Sequence, residues 1–198
     1  MQIAAPVRPQ AQGNPNAIAS SRGSRIVLAL MANALLALSA HIALPLYFTP
    51  VPITLQTFVV LLMGLLLGPS LAFTICLLYL AEGAMGLPVF SPMGPGGMAQ
   101  LLGPTGGFLL ALPFAAAVAG FAVRGVGAKL PRFGGAVIAG AAASVVSFMV
   151  GGLWIAHLAH SSWHMTAKIA VLPFVPGEVI KIMAAAGVYA SVRRFVRH

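Results

Sequence analysis

Six long runs of apolar residues follow one another along the chain, and short polar or Gly/Pro-rich segments separate them. The runs span residues 26–46, 53–68, 70–84, 105–123, 133–158 and 171–190. An α-helix rises about 1.5 Å per residue, so about 20 apolar residues cross the hydrocarbon core of a bilayer. The pattern predicts an all-α integral membrane protein with six transmembrane helices.

The second and third runs are short, and they could instead form one span with a re-entrant piece. Basic residues favour two separate spans, because positive clusters flanking membrane helices stay in the cytoplasm. Four crossings between the first and second clusters keep both clusters inside, whereas three would not. We therefore expect both termini to be cytoplasmic. The clusters are Arg22/Arg25, Arg124/Lys129/Arg132 and Arg193/Arg194/Arg197.

Composition supports the membrane assignment. Hydrophobic residues make up 60% of the 198 residues and charged residues only 7%, whereas soluble domains carry roughly 25% charged residues. The net charge of +9 does not indicate nucleic-acid binding, because the basic residues flank the apolar runs rather than forming one dense patch. A multi-pass protein of the plasma membrane is expected.

The N-terminal segment differs from the rest of the chain. Residues 1–24 are rich in Gln, Pro, Asn and Ser, which predicts a disordered cytoplasmic tail before a membrane domain at 25–198. A cleaved signal peptide is the alternative, with Ser39-Ala40 as its cleavage site. The apolar run continues to about 20 residues, which favours a full membrane span.

Only two carboxylate side chains are present, Glu82 and Glu178. Pro176 suits the first turn of the last helix, which places Glu178 near the positive end of the helix dipole. Lys181 follows at i+3 and shares the same face. The pair could be a structural ion pair, or it could line a polar pocket.

Other polar side chains within the apolar runs are few. Gln56 and Glu82 fall near the outer ends of their helices, at a depth similar to that of Glu178. A small polar solute bound between helix ends, beneath the Gly/Pro-rich loops, would use such groups. The remaining polar positions in these runs are Asn33, Thr57, Thr74, Ser144 and Ser147.

The sequence offers little support for catalysis or metal binding. It contains no G-x-x-x-x-G-K-[ST] motif and no recognisable pairing of a nucleophile with a base, so ATP-driven transport would need another chain. His157, His160 and His164 lack nearby carboxylates or cysteines and read as interface residues. Cys76 lies in an apolar run and reads as an inert thiol. We expect no enzyme activity, no metal and no cofactor.

The first helix carries small residues at four-residue spacing, which let another membrane helix approach closely. Ala29, Asn33 and Ala37 form one such row, and Ala32 lies in another with Leu36 and Ala40. This face could pack within the chain or dock a partner subunit.

Five motifs in order resemble the BioY family, the biotin-binding S components of energy-coupling factor (ECF) transporters. The resemblance as a whole runs from about residue 25 to about residue 195. The motifs are "PVPITLQT", "GLLLGP", "LYLAEGAMGLPVF", "LLGPTGGFLLALP" and "PGEVIKI".

The resemblance implies a six-helix protein that captures biotin from outside, with a membrane-embedded coupling subunit and two ATPase subunits as partners. It also implies that Ala29, Ala32, Asn33 and Ala37 face the coupling subunit. Lys181 matches the family's last-helix motif. Glu178 departs from it, because aspartate is usual there.

Biotin's chemistry suits the candidate residues. A buried carboxylate can accept the ureido N–H groups, and the valerate carboxylate needs a cation or backbone N–H groups. Which end of biotin meets Lys181 stays open. The alternatives to biotin capture are an S component for another vitamin and a structural membrane assembly protein. The candidate ligand-binding residues are Glu178, Lys181, Gln56, Glu82, Phe48, Tyr79 and Phe90.

Overall fold

The computed structural model describes residues 22–49 and 51–195, and within these ranges the chain is mostly helical. Residues 1–21 of the tail predicted at 1–24 lie outside the described residues. The first helix begins at Arg22. The helices are α1 Arg22–His41, α2 Gln56–Leu67, α3 Pro69–Ala84, α4 Gly97–Leu102, α5 Gly106–Arg124, α6 Arg132–Leu158, α7 Trp163–Ala170 and α8 Val175–Phe195. Two 3-10 turns, Val126–Lys129 and Leu172–Phe174, precede α6 and α8.

Within residues 22–49 and 51–195, four helical segments are long and apolar enough to cross a membrane. They correspond to α1, α5, α6 and a segment that ends with α8. The apolar helices α2 and α3 are shorter, with 12 and 16 residues. Gly68 separates them with a positive φ of 90°, a conformation that glycine adopts without steric penalty. These helices make the chain a multi-pass membrane protein.

The first predicted span was too long at its C-terminal end. The helix α1 ends at His41, and the two-residue strand β1 (Ala43–Leu44) pairs antiparallel with β2 (Ile53–Thr54). Pro45 explains the break, because proline disfavours helical backbone in the residue before it. The resulting hairpin connects α1 to α2 and places β2 directly before Gln56.

Small residues bring the central helices together. A side chain at Gly64 of α2 would collide with the backbone carbonyl of Ala116 in α5. Gly107 of α5 packs against Trp154, and Gly151 of α6 packs against Phe108. Close approach at small residues is the usual basis of helix packing in membranes, where lipid supplies no hydrophobic driving force between helices.

Two segments that the sequence pattern treated as connections contain short helices. The helix α4 lies in the Gly/Pro-rich segment, where the Gln100 side chain accepts from the Gly96 N–H and donates to the Ser91 carbonyl. The Trp154 indole donates to the Gly103 carbonyl at 2.9 Å and fixes this segment to α6. The helix α7 begins after Ser162, whose side chain caps it.

Candidate ligand-binding site

A cavity of about 80 Å³ lies between the ends of α2, α5, α6 and α8, beneath the loop segments. Strand β2 and the segment around α4 complete its wall. Its lining combines one acid and one base with several neutral polar groups and three phenylalanines. The lining residues are Val51, Pro52, Ile53, Thr54, Gln56, Thr57, Ser91, Gln100, Thr105, Phe108, Leu109, Leu112, Ser147, Phe148, Phe174, Glu178 and Lys181.

Glu178 lies at the centre of the polar part of this cavity. It is in the first turn of α8, as the sequence predicted, and only 6% of the residue is exposed. Its Oε1 accepts a hydrogen bond from Ser144 Oγ at 2.8 Å, and its Oε2 accepts one from Thr57 Oγ1 at 3.0 Å. Helices α2, α6 and α8 therefore meet at one carboxylate.

Lys181 completes this cluster. Its Nζ donates to Thr57 Oγ1 at 2.8 Å and forms an ion pair with Glu178 Oε2 at 3.3 Å. Both side chains are largely buried, with exposed fractions of 15% for Lys181 and 8% for Glu178. A buried charge pair is tolerated when hydrogen bonds satisfy the remaining atoms, and Thr57 and Ser144 supply those bonds. The predicted i, i+3 pair is present, and it faces a cavity rather than lipid.

Gln56 places a buried amide donor at this site. The residue is 6% exposed, and its Nε2 has no hydrogen-bond partner within the described ranges 22–49 and 51–195. The Tyr79 side chain lies beside it and interacts with the Gln56 side chain, and the Tyr79 hydroxyl donates to the Val89 carbonyl at 3.0 Å. Because a buried amide N–H without a hydrogen bond destabilises the folded state, the Gln56 N–H group is suited to donate to a bound ligand.

The apolar wall differs from the predicted one. Phe108, Phe148 and Phe174 line the cavity, and the Phe108 and Phe174 rings lie 6.5 Å apart. The predicted wall residues are absent from this lining. Tyr79 is fully buried behind Gln56 and packs edge-to-face against Phe90 at 5.3 Å, whereas the Phe48 side chain is exposed at the hairpin. The helical register of α3 turns Tyr79 into the protein core.

Glu82 lies apart from the cavity. Its Oε2 accepts a hydrogen bond of 2.6 Å from Asn33 Nδ2, so the second carboxylate joins α3 to α1. Asn33 is 6% exposed and therefore does not lie on an outward docking face. Its side chain turns inward because the carboxylate provides a partner for a polar group within an apolar helix.

The predicted alanines of α1 pack against the core, and one of them also borders a surface groove. Ala29, Ala32 and Ala37 are partly buried and pack against the main core. Ala32 also borders an open apolar groove between α1 and α2, whose other lining residues on α1 are Leu28, Met31, Ala34, Leu35 and Leu38.

Several lining residues were not predicted as ligand contacts. Thr57 and Ser147, which line the cavity, and Ser144, which bonds Glu178, were visible as rare polar positions in apolar runs, and that signal could have identified them. Phe108, Phe148 and Phe174 carry no such signal, because phenylalanine is common in membrane helices. Their positions depend on how α5, α6 and the turn before α8 pack.

The remaining candidate chemistries concern metal ligands and the cysteine thiol. No group of three or more metal-ligating side chains occurs among those residues. Cys76 is buried within α3.

Comparison with known proteins gives consistent results. The BioY family model matches residues 13–198. A probable biotin transporter BioY of Pyrococcus horikoshii is 38% identical over 136 residues, which cover 69% of this chain and 76% of that protein. Biotin transporter BioY of Rhodobacter capsulatus is 34% identical over 183 residues, with coverage of 85% and 92%. The crystal structure of the S component for biotin from an ECF-type ABC transporter aligns with a TM-score of 0.78 at 27% identity, covering 87% of this chain and 92% of that one.

Proposed function

Because the chain belongs to the BioY family, we propose that it captures biotin as the substrate-binding S component of an ECF transporter. Relatives that align with most of the chain are named biotin transporters, and the family acts as a transporter component rather than as an enzyme. Biotin is accordingly the transported substrate and not a cofactor.

The observation that carries this proposal is the buried carboxylate of Glu178 in a cavity between helix ends. Each carboxylate oxygen offers about two lone-pair sites, and Glu178 Oε1 accepts only from Ser144 within the described ranges. It can therefore accept an N–H of the ureido ring. The unpaired Gln56 amide nearby donates to an acceptor of biotin, either the ureido carbonyl or the valerate carboxylate.

The apolar part of the cavity suits the rest of the molecule. Phe108 and Phe174 present their rings to the same space, and aromatic rings make favourable contacts with sulfur. Lys181 is already paired with Glu178 and Thr57, so its main effect is to hold the carboxylate in position. We expect the glutamate at 178 to serve as the family's usual aspartate does.

We further propose that the chain crosses the plasma membrane six times, with both termini in the cytoplasm. The six spans are α1, α2, α3, α5, α6 and α8. Two observations and the usual distribution of basic residues support this topology. Arg124 packs against Gly68, so the α2–α3 turn and the α5–α6 turn lie at the same end. Arg132 donates to the Arg193 carbonyl at that end too. Clustering of basic residues at one end is typical of the cytoplasmic side.

A membrane-embedded coupling subunit and two ATPase subunits are the proposed partners. The sequence lacks a P-loop motif of its own, so ATP hydrolysis belongs to other chains. The apolar groove between α1 and α2 is the proposed docking surface, and Ala32 is one of its lining residues. This position differs from the predicted row that included Asn33.

A competition experiment tests the biotin assignment. Radiolabelled biotin should bind saturably to the purified chain in detergent, and excess unlabelled biotin should displace it while riboflavin or thiamine should not. Absence of saturable biotin binding, or displacement of the label by riboflavin or thiamine as effective as that by biotin, would assign the chain to a different solute.

A further inference from the structure

A second cavity, of about 370 Å³, lies where α5, the turn Val126–Lys129, α6 and α8 meet. Arg193 follows Glu178 by 15 residues on α8, which places this cavity about 22 Å from the biotin site along the helix. The two cavities share no lining residue. The second is lined by Val123, Arg124, Gly127, Ala128, Leu130, Arg132, Tyr189 and Arg193.

Three of its eight lining residues are arginines, and none is acidic. The only side-chain carboxylates in the sequence, Glu82 and Glu178, are paired with Asn33 and Lys181 elsewhere in the bundle. The three guanidinium charges are thus not neutralised by any acidic side chain of the chain. Like charges that converge on one space repel one another, and a bound anion would offset that repulsion.

The three arginines reach the cavity from three different elements, and each has a contact that restricts it. Arg132 Nη1 donates to the Arg193 carbonyl at 3.1 Å, and the Arg193 guanidinium lies over the Tyr189 ring at 5.7 Å. The Arg124 guanidinium lies against Gly68, where any side chain would collide with it. A guanidinium has five N–H donors, so these contacts leave donors for a ligand.

We propose that this cavity binds a phosphate group, either the phosphodiester of an anionic phospholipid or free phosphate. The planar guanidinium matches two phosphate oxygens at once, and basic pockets between membrane helices bind anionic headgroups. The cavity lies at the ends of the membrane helices α5 and α6, which is the level of the lipid headgroups. Its cytoplasmic location rests on the topology proposed above, whereas the binding itself does not.

The test compares two neighbouring arginines of α8. Arg193 lines the cavity and Arg194 does not, although both are exposed in the last turn of the helix. The purified chain, in neutral detergent, is titrated with phosphatidylglycerol, with phosphatidylcholine and, in a separate arm, with inorganic phosphate. Because one basic side chain near an anionic headgroup changes affinity about fivefold, Arg193→Gln should weaken phosphatidylglycerol binding by about that factor. Arg194→Gln should leave it nearly unchanged.

Each outcome has a defined meaning. Selective phosphatidylglycerol binding that millimolar phosphate does not displace supports a lipid site, and displacement by phosphate supports a free-phosphate site. Equal binding of both lipids with no phosphate binding, or equal losses in the two variants, overturns the proposal. If Arg193→Gln fails to give a monodisperse protein, Arg124→Gln replaces it under the same criteria. Biotin affinity, measured in parallel, should not change, so failure here and failure of the biotin assignment are distinguishable.

Discussion

A double substitution of Glu178 and Lys181 separates the structural role of the ion pair from its role in binding. Glu178→Gln and Lys181→Met each leave one charged partner without its counter-ion, so each should lower both thermal stability and biotin affinity. The double variant removes both charges. It should recover much of the lost stability, because no uncompensated charge remains, yet it should still bind biotin weakly.

The expected magnitudes follow from the contacts of the carboxylate. Glu178 accepts from Ser144, Thr57 and Lys181 at 2.8, 3.0 and 3.3 Å. Conversion to an amide replaces one acceptor oxygen with a donor, and a hydrogen bond to a charged group contributes about 1.5–3 kcal/mol. Biotin affinity should therefore fall roughly ten- to hundredfold. Breaking the pair should destabilise the fold by about 3 kcal/mol, the lower end of the range for buried pairs, because Lys181 keeps 15% exposure.

The assay measures biotin affinity by titration and the melting temperature in the same detergent for all four proteins. Thr74→Val is the matched control, because Thr74 is a polar residue of the apolar helix α3 whose hydroxyl donates within that helix, to the Ser70 carbonyl. A double variant that binds biotin as tightly as the parent would refute the reasoning, since the pair would then be structural alone. Glu178→Asp, which restores the usual family residue, should retain binding.

Three further predictions concern other parts of the molecule. Gln56→Leu removes the unpaired buried donor and should weaken biotin binding by about 0.5–1.5 kcal/mol without loss of stability; unchanged affinity would exclude a contact with the ligand. A cysteine introduced at Pro95 should react with an impermeant maleimide in intact cells, and one introduced at Ala128 should not; the native Cys76 is buried. The reverse labelling would contradict the proposed six-span topology. Ala32→Leu should reduce co-purification with the coupling subunit while biotin binding persists. Ala141→Leu, on the exposed face of α6, should leave co-purification unchanged, and equal effects of the two variants would contradict docking at the groove.

Hydropathy predicted the bounds of α5 and α6 well because a bilayer requires long apolar runs whatever their partners are. The helices α5 and α6 begin and end within one or two residues of the predicted runs. Helical spacing also predicted that Glu178 and Lys181 share a face. These features depend on local sequence and on the solvent, so no knowledge of the tertiary structure was needed.

The features that were missed depend on tertiary contacts. The short helices α4 and α7 are too brief to give a hydropathy signal, and bonds such as that from Trp154 to Gly103 hold the loop segments in place. Glu82 was grouped with Glu178 on depth alone, but its partner Asn33 lies 49 residues away. Depth along a helix follows from the sequence, whereas the direction that a side chain faces follows from how the helices pack.

A structure of the chain with biotin bound tests the central claim most directly. The account predicts biotin between β2, α5 and α8, with a ureido nitrogen within hydrogen-bond distance of the Glu178 carboxylate and with Phe108 and Phe174 beside its rings. Biotin bound elsewhere, with the Glu178 carboxylate still contacting only Ser144, Thr57 and Lys181, would contradict it.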